Sequence, residues 1–302
     1  QLEKAPGLPQ GFSAEPRPKP PLEARPDRLS VTRIEQLVRD PYAIYCESVL
    51  GLRTLDPLDL PPDVRVRGTA VHKALERFED EAKDGDSESL LSLLEEELRR
   101  GGELEIDLIA LRDTRRKVCD DYLEWRSANA HQVDGLPLTE IRGTLVLNIQ
   151  SRDFTLSGTA DRIEKRTDGS LAILDFKTGK PPSEKQVRAG LSPQMPLQGL
   201  IAQEGGFDEI GRARVEALTY LRFGTQFQVQ DLGAGSTRTK LEAMPMEELI
   251  AVAKSGLIDL LTAFANPDHP YLSAPRPERV QYESDFSRLA RRDEWTGIGT
   301  FD

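Results

Sequence analysis

The sequence predicts an α+β fold with a mixed central sheet flanked by helices and an N-terminal helical region, and three observations carry that prediction. Five segments between residues 31 and 127 place apolar side chains at helical spacing. The period then changes, and 141–149, 153–166 and 171–177, rich in β-branched residues, predict a three-strand meander. A helix over 183–203, strands near 214–223 and 226–231, and a long helix over 245–265 complete an order in which helices and strands segregate.

Taken in order, residues 1–28 are rich in proline and charge without periodicity, and predict a linker or extended arm. Ser30 is suited to cap a helix over 31–39, and Asp40-Pro41 supplies a cap and a first-turn proline for a second helix. The third helix is expected to start near Gly68, with Val71, Leu75, Phe78 and Ala82 on one stripe. Helices over 88–99 and 106–127 follow, the latter with Leu111, Val118, Tyr122 and Trp125 on one face. No repeat and no second linker occurs, so 29–302 reads as one domain. The chain begins without Met, which fits a piece excised from something longer.

No run of 18 apolar residues and no signal-peptide pattern is present, which predicts a cytoplasmic protein with no membrane partner. Cys46 and Cys119 are the only cysteines, so a disulfide framework and a four-cysteine metal site are excluded and both read as buried small apolar residues. The net charge of −11 argues against nucleic acid, yet twelve acids against three bases between Glu79 and Asp107 supply most of it. Elsewhere basic clusters stand at Arg112/Arg115/Arg116/Lys117, Lys177/Lys180/Lys185/Arg188 and Arg288/Arg291/Arg292.

The segment "LAILDFKTGK" (171–180) ends an apolar run in an acid and a lysine, and Asp175 and Lys177 share a face of the strand because side chains alternate. Two loops are open to the hairpin before it. A two-residue Asp-Gly turn would set Asp161 opposite Phe176, on the other face from Asp175. A three-residue loop, Thr167-Asp168-Gly169, would set Asp161 directly across from Asp175, at a Cβ separation of roughly 4.5–5.5 Å. Two carboxylates that close require a raised pKa or a bridging divalent cation, and a neighbouring lysine can position water or neutralise charge on phosphorus. On the third helix His72 lies on the shoulder of the apolar stripe, and Glu76 stands one turn further on the same face.

"GTAVHKALERF", "GTADRIE", "LAILDFKTGK" and "PQMPLQ", in that order, resemble the motifs of the RecB branch of PD-(D/E)XK nucleases, and "LSVTRIEQLVRDPYAIYCESVLGL" resembles the start of the C-terminal nuclease domain of AddB-type proteins. The resemblance spans roughly 29–295 and implies a restriction-endonuclease-like core. It implies that His72, Asp161, Asp175 and the Phe176 carbonyl ligate Mg²⁺ or Mn²⁺, and that Lys177 is catalytic beside Asp175 and Asp161. Gln194 would contact DNA or orient the lysine; Gln198 stands where the family expects Tyr and could still bond phosphate or water; Glu76 would support the site from behind.

Many AddB-like relatives carry an iron–sulfur cluster. Here Asp40-Pro41 replaces the expected Cys-Pro and the tail "YESDFSRLARRDEW" has no cysteine, so no cluster is expected and packing or ion pairs should pin the two ends. The implied activity is cleavage of DNA, exonucleolytic on single strands, in double-strand-break repair and recombination. No Walker A loop occurs, so a helicase motor is expected in a partner subunit or upstream of residue 1. The alternative is a catalytically silent DNA-binding or scaffold domain of a helicase–nuclease complex.

Overall fold

The computed structural model describes residues 15–53, 64–81, 85–237, 239–276 and 284–295. Residues 1–14 of the arm, Tyr282 and Glu283 of the tail, the stripe position Ala82 and the last seven residues lie outside them. The chain opens with β1 (Arg28–Ser30), α1 (Val31–Arg39), α2 (Pro41–Ile44), α3 (Val64–Glu81), α4 (Ser87–Arg100), α5 (Glu105–Ala110) and α6 (Arg112–Asn129). The meander β2 (Leu138–Ile149), β3 (Arg152–Lys165) and β4 (Leu171–Lys177) follows. Then come α7 (Glu184–Arg188), α8 (Gln194–Gln203), β5 (Val215–Phe223), β6 (Phe227–Asp231), α9 (Met246–Ala265) and α10 (Arg292–Trp295).

The six strands form one mixed sheet. β3 pairs antiparallel with β2 and with β4, and its residues 155–157 also take the short parallel strand β1, which the sequence pattern does not predict. β4 and β5 run parallel, and β6 returns antiparallel on β5. Every residue of β4 up to Phe176 is buried, because the two faces of the sheet carry separate cores. Leu171 and Ile173 join the core of α1, α8 and α9, while Ala172, Leu174 and Phe176 join that of α3, α4 and α6. Asp175 and Lys177 therefore end the face turned toward α1 and α8.

Two expected helices are each broken in two. The helix predicted over 106–127 divides at Leu111, which is exposed rather than on the apolar stripe. That predicted over 183–203 stops at α7, where Gly190 takes a left-handed φ of +69°, and restarts as α8 after Ser192-Pro193. The acidic stretch is met by arginines from neighbouring helices. Arg112 pairs with Glu88 and Glu95, Arg116 with Glu88 and Arg115 with Glu103, so the arginines of the α6 cluster meet α4 and its loop; Arg77 of α3 pairs with Glu96 and Glu97, and Lys117 with Asp121 on α6 itself.

The two ends of the chain are joined by packing. The Asp40 carboxylate accepts from the Ala274 N–H (3.0 Å), the Tyr42 N–H donates to the Leu272 carbonyl (3.0 Å), and Tyr42, Ala43 and Cys46 pack with Phe286 and Ala290. Cys46 and Cys119 are buried thiols in different cores. The described part of the arm lies against the body. Buried Arg25 donates to the carbonyls of Phe264 (2.7 Å), in the last turn of α9, and of Asn266 (2.9 Å) and Pro267 (2.8 Å) just beyond it. Among the described residues no helix is long and apolar enough to cross a membrane.

Candidate active site

The hairpin between β3 and β4 adopts the three-residue loop. Arg166 donates to the Ser170 carbonyl, Gly169 donates back to Arg166, and Gly169 takes φ +80° as the left-handed residue of the bulge. The pairs run Lys165↔Leu171 to Arg162↔Leu174, which puts Asp161 next in line opposite Asp175. There the ladder stops, and the Phe176 N–H donates to Asp161 Oδ2 (2.7 Å) instead of to a backbone carbonyl. The backbone ladder thus gives way to polar side chains where the two strands part.

Helix α3 delivers His72 to this opening. Its Nε2 lies 2.9 Å from the Phe176 carbonyl, and its ring stands edge-on to the Phe176 ring at 5.8 Å. A carbonyl can only accept, so Nε2 carries the proton and Nδ1 is turned toward carboxylates: Asp161 Oδ2 at 3.5 Å and Glu140 Oε1 at 3.8 Å. Glu140, on β2, was absent from the sequence-derived set. Glu76 lies on the same helix, where burial and then the nearby Glu140 charge push its pKa up.

From the other side, Lys177 Nζ lies 2.6 Å from Asp175 Oδ2 and 5.9 Å from the centre of the Tyr220 ring. Gln194, the first residue of α8, donates to Asp175 Oδ1 (3.0 Å), so it orients the acid rather than the lysine. Arg39 holds the turn that sets this helix start, bonding the Leu191 carbonyl (3.0 Å) and Ser192 Oγ (2.6 Å) while pairing with Glu35 (2.8 Å). Gln198 is fully buried and its amide donates to the Thr159 carbonyl (2.8 Å). That position does not suit the direct phosphate contact expected of it; the amide instead ties α8 to β3.

The electrostatics follow from crowding. Burial, then the Asp175 charge, push the Asp161 pKa up to about 7. Burial opposes the charges of His72 and Lys177, but Glu140, Asp161 and Asp175 overcome it for the imidazole, and Asp175, Asp161 and Glu35 overcome it for the ammonium, so both are held above their usual ranges. An aspartate raised in this way keeps its proton in the folded chain at pH values where the unfolded chain has lost it. Its contribution to stability is present at low pH and is lost as pH rises from roughly 4 through 7. In metal-free buffer, Asp161→Asn is expected to flatten that decline and to melt higher than the parent at pH 8, as thermal melts across a pH series would register.

The donor chemistry fits a divalent cation. One ring nitrogen is fixed by its partner's hydrogen bond, and His72, Glu140 and Asp161 each offer a ligand atom within 4.8 Å of the others. Carboxylates that repel one another and an imidazole facing them at more than hydrogen-bond length are what an ion would draw together.

A family model described as the PD-(D/E)XK nuclease superfamily matches residues 28–292. The chain belongs to that superfamily. Its fold is α+β and restriction-endonuclease-like. An uncharacterised protein of Rickettsia bellii is 33% identical over 193 residues, covering 61% of this chain and 22% of that one. An ATP-dependent helicase/deoxyribonuclease subunit of Streptococcus mutans is 25% identical over 184 residues, covering 57% of this chain and 16% of that one. The chain thus spans less than a quarter of the length of the curated relatives it matches. A crystal structure from Eubacterium rectale, a provisionally assigned exonuclease, aligns over 89% of this chain and 94% of that one with a TM-score of 0.43 at 11% identity.

Proposed function

We propose that this chain is a Mg²⁺- or Mn²⁺-dependent deoxyribonuclease domain that hydrolyses phosphodiester bonds, acting exonucleolytically on single strands supplied by a helicase during double-strand-break repair and recombination in the cytoplasm. The observation that carries the catalytic part is the meeting of His72, Asp161, Asp175 and Lys177 where β3 and β4 part. The helicase is supported by the similarity to the Streptococcus mutans helicase/deoxyribonuclease subunit, and the repair setting by the resemblance of the ordered motifs to RecB-type nucleases. The motor would lie in a partner subunit or another part of a longer chain.

In this reading His72 Nδ1, Asp161 and Asp175 would hold the ion, and the Phe176 carbonyl orients the histidine through Nε2 in addition to the ligand role first expected of it. When bound, such an ion supplies Lewis-acid polarisation of a phosphoryl oxygen and a water more acidic than bulk. Lys177 brings a protonated amine beside the scissile phosphate, where it can balance charge that grows in the transition state. Gln194 fixes the Asp175 carboxylate, and Asp175 in turn fixes the ammonium. Exposed Lys180 and Lys185, just beyond β4, provide positive charge along a strand's approach.

The test is cleavage of labelled single- and double-stranded DNA with Mg²⁺, with Mn²⁺ and with EDTA, comparing the parent chain with Asp175→Ala. Metal-dependent cleavage lost on the substitution is the expected result. Binding without cleavage in any metal hands the chain to the silent scaffold reading, and cleavage that survives Asp175→Ala places the chemistry elsewhere.

A further inference from the structure

Glu140 stands on β2 between the pairs Thr139↔Arg162 and Ile141↔Ala160, which sets it across the ladder from Asp161. Its φ is +48°, a left-handed conformation inside a paired strand. Residues with a Cβ rarely adopt it, and the ladder gains nothing from it. The consequence is the placement of the carboxylate. Oε1 lies 3.8 Å from His72 Nδ1, and the side chain remains 37% exposed, on the solvent side of the opening.

Asp175 is placed differently. Its side chain is 1% exposed, with Oδ1 accepting from Gln194 and Oδ2 paired with the Lys177 ammonium but without a hydrogen bond of its own. His72, Asp161 and Glu140 are the three whose donor atoms converge.

We propose that Glu140 is a further metal ligand of this site, joining His72 Nδ1 and Asp161, whose donor atoms it meets, in taking up the divalent ion alongside Asp175. The inference rests on the metal-dependent reading above and adds a residue to it. A set that places an imidazole among its carboxylates favours Mn²⁺ over Mg²⁺, since nitrogen donors raise affinity along the first-row series and Mg²⁺ prefers oxygen and water. The left-handed backbone at residue 140 is then a cost in fold stability accepted for a ligand position.

Mn²⁺ titration of the full chain, followed by calorimetry and by the loss of the free-ion EPR signal, tests this without any cleavage readout. Glu140→Gln, which preserves shape, is expected to weaken Mn²⁺ binding by at least about tenfold. Glu140→Gly is expected to weaken it as much while raising the melting temperature of the metal-free chain, because glycine takes φ +48° without steric cost. Unchanged affinity in Glu140→Gln, with affinity lost in Asp161→Asn, overturns the role of Glu140 and leaves the nuclease reading standing. A Glu140→Gly chain that melts lower and binds Mn²⁺ as the parent does makes the residue structural, which also overturns it. If Asp161→Asn and His72→Ala bind Mn²⁺ as the parent does, the metal-dependent reading fails together with the inference.

Discussion

Truncating Lys177 to alanine is expected to slow metal-dependent DNA cleavage by about 10²–10³-fold, the scale seen when one preorganised charge-stabilising donor is removed from a closed site. The ammonium sits 2.6 Å from Asp175 Oδ2, and the acids around it outweigh burial and hold it protonated. In the reaction proposed above it would act at neutral pH by neutralising charge on a phosphoryl oxygen rather than by taking a proton from water. Truncation also strands Asp175, whose side chain is 1% exposed, with only the Gln194 amide as a partner. The single variant should accordingly melt lower than the parent. Removing both charges, as Asp175→Asn with Lys177→Met, should recover much of that melting temperature and none of the cleavage. Single-turnover rates and thermal melts on the same preparations separate the two effects; a double variant that cleaves would end the assignment of Lys177 to the chemistry.

Arg162→Met is expected to cost about 3–5 kcal/mol of folding stability, the range for removing one partner from a buried ion pair. The guanidinium is 4% exposed and bridges Glu79 of α3 to Glu164 of β3, with Arg126 of α6 also on Glu79 at 2.9 Å. It thereby couples the helix that carries His72 to the strand that carries Asp161. Without it, Glu164 loses its cation in the interior and Glu79 keeps only Arg126. Urea denaturation would measure the loss, and a change below about 1 kcal/mol would mean that the acids regain water and that the network is not what holds α3 on the sheet.

Much of the site was legible because its signals are local. The run before Asp175 is apolar at every position, as a strand buried on both faces requires, and the alternation of its side chains puts Asp175 and Lys177 together. Asp168-Gly169 offered a turn whose register aligns Asp161 with Asp175, but a shorter turn was equally consistent with the residues, and only the folded hairpin chose between them. The stripe through Val71, Leu75 and Phe78 set the buried side of α3, and hence the shoulder from which His72 reaches the sheet.

Glu140 was missed for an equally physical reason. The turn that sets it opposite Asp161 is Gln150-Ser151, both left-handed at φ +49° and +65°, and neither residue type announces such a turn as Asn-Gly would. The role of Gln198 depended on a carbonyl 39 positions away, and the acidic block on arginines from α3 and α6 that meet it only in the bundle. By itself the sequence determined the succession of helices, meander and later strands apart from β1 and the two helix breaks, the placing of Asp175 and Lys177 on one face, and a motif set characteristic of a nuclease family, because periodicity and turn chemistry act over a few residues. Which carboxylates face one another, which nitrogen of His72 is free and which charges are already neutralised were decided by the tertiary structure alone, because each depends on packing between segments far apart in the chain.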